Sequence, residues 1–146
     1  MLGRPTFRSR LMDVHQKLDA LFGEVTEAAA AGVDPRTLGE LWSRFDAAVR
    51  AHLEMEEQHL FPAVADEHSV EVRALGFEHQ RIRAMLDAMD VEMDLHMARD
   101  PAIEALIETL RAHAAREDRG LYRWAGRAMG VRDRLAVRHH IEVAPL

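Results

Sequence analysis

The sequence predicts an all-α protein, an up-down-up-down four-helix bundle followed by a short additional C-terminal helix. Three observations carry this. Alanine, leucine, glutamate and arginine are prominent while aromatic residues make up only 5% of the chain, so composition favours helix over strand. Apolar residues recur at three- and four-residue spacing through four long stretches, the pattern of a helix that buries one stripe. Residues suited to helix ends punctuate those stretches.

The first helix is predicted from about Phe7 to Ala31, with Leu11, Val14, Leu18, Leu21, Phe22 and Val25 on one face and Gly32 as its C-terminal cap. Asp34 and Pro35 then open a second helix. The aspartate can accept from free amides and the proline fits the first turn, so this helix should run from about Pro35 to Leu60 and stop near Pro62. Its apolar stripe is Leu38, Leu41, Trp42, Phe45, Val49 and Leu53. Ser69 can cap a third helix that turns Leu75, Ile82, Met85, Leu86 and Met89 inward and ends between Asp90 and Arg99. Asp100 and Pro101 repeat the signal of Asp34 and Pro35, and a fourth helix follows through Ile103, Leu106, Ile107 and Leu110 to about Tyr122. Gly130 sets off the C-terminal helix, roughly Val131 to Ile141. Residues 1–146 are expected to form one domain, with the bundle over about 7–125.

Composition also excludes several function classes. A formal charge of −6, with arginines dispersed among acids, provides no concentrated basic face for nucleic acid. The chain has no cysteine, so disulfides, thiolate metal sites and iron-sulfur clusters are ruled out together, and any metal must use nitrogen and oxygen. No long uncharged apolar run suggests a membrane span and the first residues do not resemble a signal peptide, so a cytoplasmic location is expected.

The histidines carry the chemistry. HLEMEEQHLFP, beginning at His52, and HAAREDRGLY, beginning at His113, share a histidine, a glutamate four residues later, a second acid, then leucine and an aromatic. HQKLDALF from His15 and HQRIRAML from His79 echo each other in the same way, so the chain reads as two related helical hairpins. Residues four apart on a helix are displaced by only about 40° and about 6 Å, so His52 with Glu56, and His113 with Glu117, can converge on one point. His15 and His52 stand almost equally far from a turn near Val33, as do His52 and His79 from a turn near Ala65. His79 and His113 disagree by about 12 Å unless the third helix ends near Met93 and DLHMARD runs back across the bundle end.

A single histidine on a helix is usually structural. Six ionisable groups in one interior layer are another matter, because buried charges survive only when paired or bound to metal. The metal-site set is therefore His15, His52, Glu56, His79, His113 and Glu117. Asp19 and Arg83, four residues after His15 and His79, could flank open metal positions. Glu57 and Asp118 read as solvated neighbours. His59, His68, His96, His139 and His140 receive no role. Met85, Met89, Met93 and Met97 read as core filling rather than a copper site, and Trp42 and Trp124 as packing residues.

Imidazole and carboxylate without sulfur suit iron, manganese or zinc, and two carboxylates inside a four-helix bundle favour a pair of ions. The succession H, HxxxE, H, HxxxE, with HLEMEEQHLFP as its fullest segment, resembles the hemerythrin-like family, also called the HHE cation-binding domain, over about residues 11 to 125. The resemblance implies two iron ions with a bridging oxo or hydroxo group, manganese or zinc being possible substitutes. Glu56 and Glu117 would bridge and the four histidines would be terminal ligands, with the pairing of histidine to iron left open.

Oxygen-carrying hemerythrins have a second histidine on helix three, spaced four from the first, where this chain offers Leu75 and Arg83. The implied donors would fill about ten of the twelve octahedral positions of two ions. The expected function is therefore binding of, or reaction with, peroxide, dioxygen or nitric oxide at a carboxylate-bridged iron pair, catalase-like activity included. Iron or oxygen sensing, reversible oxygen carriage and a metal-free interaction module are the competing readings. No protein partner can be named from these residues.

Overall fold

A computed structural model of the chain describes residues 3–144 apart from 97 and 99, so the expectation for Met97 lies outside the described residues. Helix α1 spans Phe7–Ala31, α2 Pro35–Met55, a π-helical turn Glu56–Leu60, α3 Phe61–Asp94, α4 Asp100–Arg119, α5 Leu121–Ala128 and α6 Val131–Val143. Among the described residues there is no strand. The helices pack as a bundle, as the periodicity predicts.

The first connection follows its sequence signals. Gly32 takes a left-handed conformation, φ 68°, and its N–H donates to the carbonyls of Ala28 and Ala29, while the Asp34 side chain accepts from the amide of Thr37. At the other end of α1, Thr6 caps by accepting from the Ser9 amide.

The second connection differs from expectation. Pro62 does not stop the helix. The chain stays helical through it: the preceding turn widens, the N–H of Phe61 donating to the carbonyl of Glu56, five residues back, and Pro62 falls in the first turn of α3, where a proline is tolerated. The reversal comes instead at His68, whose φ −130° and ψ 38° break the helical path just before Ser69. Glu56 and His79 lie at nearly equal sequence distance on either side of His68, yet their side chains approach to 3.4 Å. The two arms of α3 therefore run back alongside each other.

The fourth arm also departs from the predicted single helix to Tyr122. Gly120, φ −117° and ψ −81°, interrupts it, and α5 begins at Leu121. A Cβ at Gly120 would meet the Trp124 ring at 3.2 Å, so the residue with least helix propensity after proline sits where the backbone must leave the helix. Helix α3 ends at Asp94 and α4 starts at Asp100, which brings His79 and His113 to one level, as the repeat required. The final helix follows Gly130 as expected and lays Val137 into the core.

The core is divided. One apolar cluster contains Leu18, Phe22, Phe45, Val49, Leu86 and Leu106. The other contains Leu11, Met55, Leu60, Phe61, Leu75, Leu121, Tyr122 and Val137. Between them lie the buried polar residues His52, Glu56, His79, His113 and Glu117, with His15 of α1 half-buried beside them. Among the described residues, no helix is long and apolar enough to cross a membrane.

Candidate metal centre

The six residues singled out by spacing converge. Two groups form, each with its nearest ligand atoms within 4.8 Å of one another: His15, His52, Glu56 and Glu117 in one, and His79, His113, Glu56 and Glu117 in the other. The first hairpin thus gives both histidines of one group, the second hairpin both of the other, and the two glutamates are common to both. Distances describe the sharing. Oε1 of Glu56 lies 3.5 Å from Nε2 of His52 and 3.4 Å from Nε2 of His79, while Oε1 of Glu117 lies 3.2 Å from Nε2 of His15 and 3.1 Å from Nε2 of His113.

These approaches fit ligation better than hydrogen bonding. Glu56 and Glu117 are fully buried, and both oxygens of Glu56, Oε1 of Glu117 and Nε2 of His113 have no hydrogen-bond partner. Unsatisfied carboxylate oxygens in an apolar interior cost several kcal/mol by general estimates of about 1–3 kcal/mol or more for each such group, so a cation is the economical resolution. Neighbouring donors on one octahedral ion, with bonds of about 2.1 Å, stand about 3 Å apart. The separations found here lie close to that edge length.

The charge balance points the same way. Burial and the neighbouring Glu117 both push the Glu56 carboxyl up, but the imidazoles of His52 and His79 facing it outweigh them and hold it below the usual range. Burial also opposes ionisation of Glu117, yet His113, His15 and His79 hold it well below that range. In return His15 and His79 are each raised to about 10: burial alone would lower them, and the facing carboxylates dominate. Without metal, protons supply the positive charge that this cluster demands.

An outer layer of acids surrounds the histidines. Nδ1–H of His15 donates to Asp118 over 3.0 Å, and Nδ1–H of His113 donates to Glu78 over 2.8 Å. Nδ1 of His79 faces Glu57 at 3.6 Å, and Glu57 is held in turn by both guanidinium nitrogens of Arg83, at 2.6 and 2.7 Å. Glu57 and Asp118 are thus not solvated bystanders. Each follows a shared glutamate by one residue and reaches across to the lone histidine of the opposite hairpin. Arg116 ties Glu78 and Glu71 together on the outside. Arg83 therefore acts on the cluster only through Glu57, and Asp19 pairs with Arg111 on the exposed side of the bundle. Neither joins a ligand group.

The aromatic that ends each repeated segment also reaches the site. Phe61 packs its ring 5.0 Å from that of His79, and Tyr122 stacks at 4.8 Å on His15, again exchanging across hairpins. The Tyr122 hydroxyl, fully buried, lies 2.7 Å from Nε2 of His15 and 3.0 Å from Nε2 of His52. Burial, reinforced by the charges of Glu56 and Glu117, pushes this phenol well above its ordinary pKa, so without metal it stays neutral. Histidine–glutamate spacing could not reveal Tyr122 or Glu78. The shared leucine–aromatic ending of the two segments was the available signal for the first.

Beside His15, His52 and His113 a cavity of about 420 Å³ opens between α1 and α4, walled by Leu18, Phe22, Phe45, Val49, Ile107 and Leu110, with Asp19 and Arg111 also among its lining residues. A small molecule could reach the histidines by this route.

Neither curated proteins nor solved structures give a match. The model of the hemerythrin HHE cation-binding domain matches residues 6–125, most of the chain and the whole span that carries the histidine and glutamate layer. With that layer buried between two apolar clusters of a helical bundle, the chain belongs to the hemerythrin HHE cation-binding domain family.

Proposed function

We propose that this protein is a non-haem di-iron protein that binds or reacts with peroxide, dioxygen or nitric oxide at a carboxylate-bridged iron pair. One observation carries the reading: two histidine pairs, one from each hairpin, face the same two buried glutamates. His15 and His52 would hold one ion, His79 and His113 the other, and Glu56 and Glu117 would span both. A bound iron pair supplies one- and two-electron redox chemistry toward a small oxygen or nitrogen ligand.

The chain's own residues supply the rest. The apolar clusters on either side exclude bulk water, which strengthens every charge interaction between them. Asp118 and Glu78 fix the ring orientation of His15 and His113 and leave their Nε2 atoms pointing inward. The α1–α4 cavity provides passage for a small ligand.

Reaction is favoured over reversible carriage because α3 offers no second histidine beside His79. Leu75 is fully buried among apolar side chains and Arg83 is committed to Glu57. Iron-loaded protein should evolve oxygen from added peroxide or form a spectroscopically distinct adduct with nitric oxide, and Glu56→Ala should do neither. A wild-type protein that holds two irons yet only binds and releases dioxygen unchanged would favour the carrier reading instead.

A further inference from the structure

The geometry points to Tyr122 as a direct ligand, through its phenolate oxygen, of the ion held by His15 and His52. This rests on the di-iron reading and adds to it an oxygen donor outside the histidine and glutamate set. The position of the hydroxyl is the first support: 2.7 and 3.0 Å from the two inward-facing nitrogens, it stands at the separation expected of neighbouring donors on one octahedral ion, about 3 Å. The one phenol oxygen faces both nitrogens at once. A cation among the three atoms satisfies all of them.

The second support is the other hairpin. Phe61 occupies the place equivalent to Tyr122, packs on His79 as Tyr122 packs on His15, and has no oxygen. The core therefore tolerates a plain ring at this position, and the hydroxyl on Tyr122 is not required for packing. Tyr122 is fully buried in the same apolar cluster as Phe61, with its hydroxyl against the histidines of the ligand layer. Coordination breaks the phenol O–H bond, forms an oxygen–metal bond and sends the proton to solvent. The two ions would then differ: the one held by His15 and His52 would have the Tyr122 oxygen as an added donor, while Phe61 offers none to the one held by His79 and His113.

Tyr122 is the only tyrosine in the chain, which makes the test unambiguous. Resonance Raman spectra of the full-length, iron-loaded ferric protein, excited in the visible, should show tyrosinate ring modes riding on a charge-transfer band. Tyr122→Phe should lose the modes and the band while the remaining ligands still hold iron. Two irons per chain with no tyrosinate mode in the wild type would overturn this inference and leave the di-iron reading intact. Failure of the wild type to bind iron at all would overturn both. Because the wild-type spectrum alone decides, the test survives even if the variant does not fold.

Discussion

His15 and Asp118 lie far apart in the chain, on opposite hairpins, yet the Nδ1–H of the first donates to the carboxylate of the second over 3.0 Å. Glu57 faces His79 in the corresponding place, so each hairpin orients the other's lone histidine. Such contacts set a ligating ring's tautomer and raise its basicity, and losing one typically lowers metal affinity by about 10- to 100-fold. Asp118→Asn should therefore weaken iron binding by about that factor without unfolding the bundle, measured by competition with a chelator. An unchanged affinity would mean that the contact is incidental.

Arg83 should act indirectly. Its bidentate pair with Glu57 positions the carboxylate opposite His79, so Arg83→Met is expected to weaken iron binding in the same direction as Glu57→Gln. Combining the two substitutions should add little beyond either alone, because both act through one side chain. Fully additive losses in the same competition assay would show that Arg83 reaches the site by another route.

Metal-free protein should have a distinctive pH profile. His15 and His79 are raised from 6.5 to about 10, so the stability they contribute is fully present below about 6.5 and is lost as pH rises through about 10. Glu56 and Glu117 are lowered from 4.5, so their contribution is present above about 4.5 and is lost as pH falls. The Tm of chelated protein should peak between these limits and decline toward about 10. Iron-loaded protein should not follow that decline, because metal replaces the protons. A chelated Tm that climbs steadily on the alkaline side would contradict the assignment of charge.

Phe45 tests the packing that holds the ligand layer in place. It is 1% exposed, stacks on Phe22 with centroids 4.5 Å apart and touches Trp42. Trp42 is more than a packing residue, since its Nε1–H donates to Asp90. Phe45→Ala should cost about 3–5 kcal/mol, read by chemical denaturation of the metal-free protein. A loss below about 1 kcal/mol would mean that the cluster collapses around the gap.

Much of this arrangement was legible in the sequence, and the parts that were not share a cause. The first helix, its Gly32 cap and the Asp34 cap of α2 depend on local chemistry, which spacing and cap residues report directly, whereas Asp100 is the first residue of α4 rather than the residue before it. Pro62 misled because its consequence depends on where it falls: in the first turn of α3, after a π turn, a proline is tolerated, and nothing local to proline announces that. The break at Gly120 and the separate α5 were hidden in the same way by the indole of Trp124. At the site, histidine–glutamate spacing selected residues that the fold brings into one layer. Glu57 and Asp118 were misread because one residue's rotation turns them from their own hairpin's pocket and toward the neighbouring hairpin, a relation that exists only once the hairpins pack. Tyr122 reaches the layer by the same exchange.

The central claim is that two glutamates serve two ions at once, and counting the metal tests it most directly. Protein purified from iron-supplied cells should contain two irons per chain with the Mössbauer signature of a magnetically coupled pair, and Glu117→Ala should lose the coupling along with at least one iron. Wild-type protein holding no metal, or a single uncoupled iron that persists unchanged in Glu117→Ala, would contradict the account.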